Sequence, residues 1–478
     1  MQGLQREPEA RLLKMPHDRL EGRKRKPKKQ TNPLRKGILL FCNAKDIHVT
    51  THEPAATIGS AEESALLGIA DLPKRFTIYP PLLLLPHKFP THSPRWETFY
   101  NVLNETDREE LFRNIVEGGF AGMGISRVAI NAPIAADEVP GLSQIAEIDT
   151  SSSLERTENV MRSPSGLVPL FGDWGERKIE AKADTITGEL GDSFERAFWV
   201  STCQHRGITQ CWAPIYTMFS RGNISEKARI LGLDPGSGQF TSTFQGLRDL
   251  ELGEAVEKVD VVDFYVGIGY FAFCYLKRGI RTVWGWDINP WSIEGFRRGC
   301  EANGWRCIVI RVDEEGNTEG MSIPSLAEIW AEGVREGGHK EVRCVAFLGD
   351  NKWSSKIMGE IHDELKGLSP SGQGLNIRHA NMGLLPSSQG SWENAVALIK
   401  MTDASDKKSW LHVHENVDIH QMDAMEAKIV HGIERFARSW EREEENRSCV
   451  SCVQVQEVKT YAPGVMHCVF DIQIKPNG

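Results

Sequence analysis

The 478-residue sequence lacks any uninterrupted apolar run of the roughly 18 residues that a membrane-spanning helix needs, and its start lacks the apolar centre of a secretory signal. Its ten cysteines show no dense framework of spacings, as is typical of proteins from a reducing compartment. Cys449 and Cys452 form one CxxC pair, but no second pair lies at ligand spacing, and we predict no metal site. These absences predict a soluble, cytoplasmic protein that does not contact a membrane.

A general excess of positive charge is also absent. The 56 lysines and arginines against 65 aspartates and glutamates leave a formal charge of −9, which argues against a surface that coats nucleic acid. One segment departs from this balance, because residues 23–36 carry eight basic side chains and no acidic one. This segment is either a solubilising or nuclear-localisation-like tail or an arm that contacts phosphate groups.

Composition divides the chain into three predicted parts. Residues 1–75 are basic, then small and polar, and are predicted to be disordered. Residues 76–232 open with the apolar stretch FTIYPPLLLLP and continue with helix-like apolar periods, which predicts a smaller α/β domain. The turn-rich segment LDPGSGQFTS then precedes the third part, residues 243–478.

The third part alternates strand-like and helix-like segments, a pattern typical of a doubly wound parallel sheet. Its last two strand-like runs, CVQVQEVKTY and MHCVFDIQIK, are joined by APGV and predict an antiparallel hairpin at the end of a mostly parallel sheet. Residues 314–341 are charged and glycine-rich, and indicate an insertion that adds bulk at the surface. The sequence therefore predicts an α/β fold of Rossmann-like type.

The stretch VVDFYVGIGYFAF predicts a strand, a tight turn and a helix that together bind a nucleotide. Gly267, Gly269 and Ala272 fit a dinucleotide-binding turn, and Asp287 stands 20 residues after the first glycine. These spacings suit a nicotinamide cofactor and S-adenosylmethionine equally well. Asp263 separates the two, since its D-x-x-x-G-x-G spacing resembles the first motif of class I S-adenosylmethionine-dependent transferases and hydride transfer does not require it.

Strand-end acids complete the predicted nucleotide site. Asp263 is expected to reach the amino acid arm of the cofactor, directly or through water. Asp287 is expected to accept hydrogen bonds from the ribose hydroxyls, because a carboxylate pairs naturally with a diol. Asp350 and Asn351 end another strand at the same edge of the sheet, where open α/β folds bind ligands. The alternative for Asp350 is an ordinary acidic turn.

Several segments together resemble the tRNA wybutosine-synthesizing protein 2 family, in its fungal-type form. The resemblance covers roughly residues 76–475, and MFSRGN with MGLLPSS makes it specific. Related tRNA guanine-N1 methyltransferases carry an N-x-P-P-like motif where this chain has NMGLLPSS. The segments that carry the resemblance are WAPIYTMFSRGNISEKARI, VVDFYVGIGYFAFCYLKRG, WGWDINPWSIEGFRRGCEANGW, GDN, ANMGLLPSSQGSW and LHVHENV.

The resemblance implies a tRNA(Phe) 4-demethylwyosine aminocarboxypropyltransferase. Such an enzyme transfers the 3-amino-3-carboxypropyl group of S-adenosylmethionine to carbon 7 of the tricyclic base and releases methylthioadenosine. The enzyme must hold the methylene of the methionine arm, rather than the methyl group, in line with the ring carbon. Arg221 is our candidate to anchor the carboxylate of that arm, with the Ser220 hydroxyl nearby. A structural ion pair is the alternative for Arg221.

A second set of residues is expected to present the acceptor base. Asn381 and Pro386 are predicted as catalytic positions together with Arg221, and the general base is left unassigned. Capping of a strand end is the alternative explanation for this turn. The residues predicted to bind the edge of the modified purine or to line the same cleft are Ser387, Ser388, Glu415 and Asn416.

The predicted partner is the anticodon loop of tRNA, and the protein is expected to act as a monomer. Local basic surfaces must serve the RNA, and the candidates are residues 23–36, residues 221–229, and Arg297 with Arg298. Three other functions are kept as alternatives. They are a tRNA guanine-N1 methyltransferase, a tRNA-binding scaffold without activity, and a dehydrogenase.

Overall fold

The structure is a computed structural model. It describes residues 32–50, 67–131, 167–175, 194–203, 205–217, 219, 223–233, 243–404, 406–441 and 448–476. Most of the basic segment 23–36 lies outside the described residues, and so do Ser220 and Arg221.

Strands and helices alternate through most of the described chain. The strands are β1 Val49–Thr50, β2 Leu67–Gly68, β3 Thr77–Tyr79, β4 Leu82–Pro86, β5 Arg127–Asn131, β6 Val168–Phe171, β7 Val200–Cys203, β8 Thr209–Trp212, β9 Asp260–Asp263, β10 Thr282–Asp287, β11 Arg306–Val312, β12 Thr318–Glu319, β13 Val342–Leu348, β14 Ile377–Met382, β15 Ser409–Asp418, β16 Cys449–Ala462 and β17 Val465–Lys475. The helices are α1 Pro33–Ala44, α2 Pro94–Val102, α3 Glu105–Arg113, α4 Ile224–Ile230, α5 Asp249–Leu252, α6 Ala272–Lys277, α7 Pro290–Ala302, α8 Ile323–Glu336, α9 Ser354–Leu368, α10 Trp392–Met401 and α11 Met422–Arg438. None of these helices combines the length and the apolar character that crossing a membrane requires.

Within the described residues, nine strands form one large sheet in the order β12, β11, β13, β10, β9, β14, β15, β17, β16. The strands from β11 to β15 in this order are parallel to their neighbours. β17 runs antiparallel between β15 and β16, and β12 pairs antiparallel with β11 at the other edge. The prediction of a mostly parallel sheet that ends in an antiparallel hairpin is confirmed.

Both faces of this sheet are buried, because side chains alternate between two cores along each strand. Val262 and Trp284 lie in the core that also holds residues of α8 to α11. Val261 and Val283 point to the opposite core, with residues of α6 and α7. Because β9, β10, β13 and β14 are parallel, their carboxyl ends lie at the same edge of the sheet. The strand-end acids follow at this edge.

A smaller mixed sheet precedes the large one. Its strands lie in the order β3, β4, β5, β6, with β4 and β5 parallel and the other neighbours antiparallel. Residues of α2 and α3 cover it, with Trp96 and Phe112 buried among the strand leucines. This arrangement is the smaller α/β unit that the sequence predicts.

The prediction of disorder through residue 75 is wrong for the first described helix. α1 begins after Asn32, whose side chain accepts a hydrogen bond from the Arg35 amide, and it buries Leu34, Ile38 and Phe41 in the core of the smaller unit. These apolar residues recur at helical spacing within and just after the basic run. The average composition of residues 1–75, which is basic and polar, does not show this helical spacing of apolar residues.

The segment 314–341 is also more than surface bulk. It contains α8, whose Leu326, Ala327 and Trp330 are buried in the core of the large sheet. The Trp330 indole donates a 3.0 Å hydrogen bond to the Thr282 hydroxyl of β10. The expectation of a purely superficial insertion is wrong, because the charged residues of this segment share a helix with a well-formed apolar stripe.

Candidate active site

The turn after β9 holds two glycines in a conformation that other residues avoid. Gly267 and Gly269 have φ angles of +55° and +86°, both in the left-handed region. A β-carbon on Gly267 would lie 2.7 Å from the Tyr270 ring, and one on Gly269 would lie 2.6 Å from the Phe273 ring. Both positions need glycine for conformation and for space, so the turn keeps the bare backbone that its motif predicts.

The carboxylate of Asp287 lies against this turn. Its Oδ2 accepts a 2.9 Å hydrogen bond from the Gly267 amide, and its Oδ1 accepts a 2.8 Å hydrogen bond from the Asn289 amide. The 20-residue spacing in the sequence therefore corresponds to direct contact in space. Asp287 is held at the carboxyl edge of the sheet, where open α/β sheets bind their ligands.

Asp263 and Asn381 are brought together at the ends of two neighbouring strands. The Asn381 Nδ2 donates a 3.0 Å hydrogen bond to the Asp263 Oδ1, which also accepts a 3.3 Å hydrogen bond from the Tyr265 amide. Both side chains are almost completely buried. Among the described residues, the other Asp263 oxygen, Oδ2, and the Asn381 Oδ1 have no hydrogen-bond partner.

This unpartnered oxygen tests whether the site suits S-adenosylmethionine. Burial raises the pKa of Asp263 to about 7, although the Asn381 amide and the Tyr265 amide oppose the rise. A buried carboxylate without a partner is costly, and a cation that fills the place removes the cost. The methionine arm of S-adenosylmethionine carries an ammonium group, so the residues present fit this co-substrate.

Asp350 and Asn351 follow β13 at the same edge. The Asn351 Nδ2 donates a 2.7 Å hydrogen bond to the Phe264 carbonyl and so fixes the start of the glycine turn. The Asp350 carboxylate accepts a hydrogen bond from the Lys352 amide, lies 3.5 Å from its ammonium group, and is about half exposed. Asn351 therefore supports the turn, while Asp350 is accessible to a ligand at the rim.

The loop after β14 is fastened to β15. The Glu415 Oε1 accepts 3.0 Å hydrogen bonds from the Ser387 hydroxyl and from the Ser388 amide. The Asn416 amide donates a 2.8 Å hydrogen bond to the Pro386 carbonyl. These contacts hold the loop in place, and they engage the hydroxyl of Ser387, which the sequence predicted as a base-binding group.

His414 of β15 and His467 of β17 form a buried pair that the sequence did not predict as part of the site. The His414 Nδ1 and the His467 Nε2 are 3.0 Å apart, and both rings are buried. The outer nitrogens of both rings have no hydrogen-bond partner among the described residues, and neither does the side-chain amide of Asn416, whose backbone amide is the group that bonds to Pro386. Burial lowers the pKa of His467 to about 4 and that of His414 well below its usual value, so both rings are neutral at pH 7.

A buried charge network joins α4 to the last strand. The Arg229 guanidinium contacts Glu226 at 2.7 Å and Asp471 at 2.5 Å. The Asp471 carboxylate also lies 2.7 Å from the His412 Nδ1, and the other nitrogen of that ring lies 3.0 Å from the His379 Nδ1. Sequence reasoning missed this network. The one available signal in the sequence is that α4 carries three charged residues, Glu226, Lys227 and Arg229, among apolar ones.

Two of the basic segments predicted to bind tRNA contain cations that are buried or paired with carboxylates. Lys227 and Arg229 of the segment 221–229 are buried, so the prediction of a basic RNA-binding surface is wrong for these residues. Arg297 and Arg298 both form ion pairs with Glu294. Their charge is compensated within α7.

The sheet order, the bare glycine turn and the strand-end acids define a class I S-adenosylmethionine-dependent transferase. The sequence is 32% identical over 405 residues to the Schizosaccharomyces pombe protein named tRNA wybutosine-synthesizing protein 2, covering 84% of this chain and 73% of the relative. This chain belongs to the tRNA wybutosine-synthesizing protein 2 family.

A second fungal relative agrees with this membership. The Saccharomyces cerevisiae protein of the same name is 29% identical over 423 residues, which cover 84% of this chain and 74% of the relative. A crystal structure of P. horikoshii TYW2 in complex with MeSAdo is 14% identical, with a TM-score of 0.45 over 87% of this chain and 95% of that one. No family model matches the sequence.

The glycine turn gives a first testable prediction. Gly267→Ala should weaken S-adenosylmethionine binding at least tenfold, because alanine in the left-handed region costs about 1–2 kcal/mol and its β-carbon also displaces the Tyr270 ring. Isothermal titration calorimetry measures the affinity. The matched control is Gly253→Ala, where φ is +72° and nothing lies within 4 Å of the new methyl group. Equal losses in the two variants would contradict a specific role of the turn.

Proposed function

We propose that this protein transfers the 3-amino-3-carboxypropyl group of S-adenosylmethionine to carbon 7 of 4-demethylwyosine in tRNA(Phe). The observation that carries the proposal is the 32% identity to a wybutosine-synthesizing protein over most of both chains. The buried, unpartnered oxygen of Asp263 supports it, since that oxygen suits the ammonium group that travels with the transferred chain.

S-Adenosylmethionine supplies a sulfonium whose three carbons are all electrophilic. The bond from sulfur to the methylene of the amino acid arm breaks with its electron pair left on sulfur, and the ring carbon of the base forms the new bond. The ring carbon then loses its proton. The protein therefore has to select one of three carbons, which it does by fixing the arm and the acceptor.

Different residues of the site bind the nucleoside, the amino acid arm and the acceptor base. Gly267 and Gly269 give the nucleoside close access to the backbone, and Asp287 at the turn suits the ribose. Asp263, held by Asn381, takes the ammonium end of the arm. The candidates for the acceptor base are Asn381 near the end of β14, Pro386, Ser387 and Ser388 on the loop that Glu415 fastens to β15, and Asn416 of β15 itself. Ser220 and Arg221 are retained as sequence-based candidates for the arm.

The nucleoside by-product tests the proposal. Protein, hypomodified tRNA and S-adenosylmethionine labelled in either the methyl or the carboxyl carbon should give RNA labelled from the carboxyl carbon alone, with methylthioadenosine released. Label entering only from the methyl carbon, with adenosylhomocysteine as by-product, would instead identify a tRNA guanine-N1 methyltransferase. Binding of tRNA without any binding of S-adenosylmethionine would identify a scaffold.

The proposal extends to the partner and the setting. The tRNA is that for phenylalanine, recognised at the purine next to the anticodon, and the protein acts as a monomer in the cytoplasm. Size-exclusion chromatography with light scattering, with and without the tRNA, tests the stoichiometry.

A further inference from the structure

Lys227 of α4 is a buried lysine beside the glycine turn. Its side chain is 3% exposed, and its ammonium group donates a 3.1 Å hydrogen bond to the Gln210 Oε1. The ring of Tyr270, the residue that follows Gly269, has its centre 5.3 Å from the ammonium nitrogen, and the ring of Phe219 has its centre 5.6 Å away. The ammonium group is thus enclosed by two rings and one amide.

This ammonium has no anionic partner in the described part of the chain. The adjacent Glu226 is engaged by Arg229, and no carboxylate lies within ion-pair distance of Lys227. The Cys274 thiol interacts electrostatically with Lys227, but burial raises the pKa of this thiol to about 12, so it is neutral at pH 7. Burial correspondingly lowers the pKa of Lys227 to about 8.

Burial of an ammonium group without an anionic partner is unusual in proteins. Lysines are almost never fully buried unless they are paired, because removing the charge from water is costly. Cation–π contact with two rings recovers part of that cost but leaves donor hydrogens without acceptors. An anion that enters beside the ring of Tyr270 would supply them.

The site already described needs an anion-binding group at this place. Asp263 stands at the start of the glycine turn with an unpartnered oxygen, and Lys227 stands beside the end of the same turn. The methionine arm carries one ammonium and one carboxylate group on the same carbon. The buried acid at the start of the turn and the buried base beside the Tyr270 ring carry charges opposite to those of this pair.

We infer that Lys227 binds the carboxylate of the methionine arm of S-adenosylmethionine, as a binding residue in addition to those predicted from the sequence. The inference rests on the proposed function, since it assumes that S-adenosylmethionine is the co-substrate. With the carboxylate at Lys227 and the ammonium at Asp263, the carbon that bears both groups is fixed. Because this carbon is fixed, the methylene next to sulfur points in one defined direction within the site.

The test removes the carboxylate from the ligand as well as the ammonium from the protein. Wild type and Lys227→Met are titrated by calorimetry with S-adenosylmethionine, with decarboxylated S-adenosylmethionine and with methylthioadenosine, which lacks the whole arm. We expect Lys227→Met to weaken S-adenosylmethionine binding at least about tenfold, because the variant loses a charge-assisted hydrogen bond to the carboxylate. The affinities for the other two ligands should change less than twofold.

Two controls accompany the titrations. Lys277→Met removes the same charge from an exposed position on α6 and should leave all three affinities unchanged. Lys227→Arg, which keeps the charge, should recover part of the lost affinity for S-adenosylmethionine and leave the affinity for its decarboxylated form unchanged.

Equal weakening of all three ligands by Lys227→Met would overturn the inference, because the lysine would then only support the turn. If that variant fails to fold, Lys227→Arg takes its place, and a loss of affinity confined to S-adenosylmethionine supports the inference. A wild type that binds decarboxylated S-adenosylmethionine as tightly as S-adenosylmethionine also overturns the inference, because no residue would then bind the carboxylate. The proposed function is tested separately, by the identity of the nucleoside by-product.

Discussion

Asp263→Asn should lower kcat/KM for the transfer about 100-fold while the protein stays folded. The substitution keeps the size of the side chain and removes the negative charge that we propose binds the ammonium group of the arm. Loss of a charged partner in a buried site is worth roughly 3 kcal/mol, which corresponds to about two factors of ten. Initial rates with hypomodified tRNA, at varied S-adenosylmethionine, measure the effect.

Methylthioadenosine provides the control for this variant. Because it lacks the amino acid arm, its affinity should be the same for wild type and Asp263→Asn within about twofold. If both ligands lose affinity together, Asp263 only shapes the glycine turn and the assigned role is wrong.

The raised pKa of Asp263 adds a pH dependence with a definite sign. Burial raises the pKa from its ordinary value of 3.8 to about 7, so the folded protein binds more protons than the unfolded chain between these values. The free energy of unfolding therefore falls as pH rises from about 4 to about 7. Asp263→Asn removes this contribution. S-Adenosylmethionine should accordingly raise the melting temperature of wild type more at pH 7 than at pH 5.5.

Arg229→Met should lower the free energy of unfolding by about 3–5 kcal/mol, the range for breaking a buried ion pair from one side. The substitution leaves the carboxylates of Glu226 and Asp471 buried without their shared cation. Urea denaturation followed by tryptophan fluorescence measures the change. The matched control is Arg438→Met, which breaks an exposed ion pair with Glu434 and should cost at most about 1 kcal/mol.

The size of this effect follows from the position of Arg229 between two buried carboxylates. The Gly246 carbonyl accepts a 2.7 Å hydrogen bond from the His379 Nε2, and the Asp471 carboxylate accepts one from the His412 Nδ1. Burial lowers the pKa of His379 well below its usual value, so this ring does not supply a positive charge at pH 7. If Arg229→Met and Arg438→Met have similar stability, the role of Arg229 as the shared cation of the two carboxylates is wrong.

The sequence predicted the parts of the site that are local. Asp263, Gly267 and Gly269 lie within one short segment, and their spacing alone indicates the turn. Asp287 could be placed because it ends the next strand along the chain. The partner of Asp263 could not, since Asn381 comes 118 residues later and meets it only through the parallel pairing of β9 with β14.

The misplaced predictions have a shared physical cause. α1 and α8 carry their apolar residues at helical spacing inside charged segments, so average composition indicated surface where periodicity indicated burial.

The pairing of His414 with His467, and of His412 with Asp471, depends on the register of β17 against β15. No local pattern in either strand reveals which residues will face each other.

The position of β17 has a consequence for how the chain is made. This strand is translated after β15 and β16, yet it lies between them in the sheet. Until residues 465–475 emerge, the nascent chain lacks the partner strand of β16 and the Asp471 carboxylate that contacts Arg229 and His412. This side of the sheet therefore cannot form in the order of translation, and a premature stop codon that removes the strand would leave β16 unpaired.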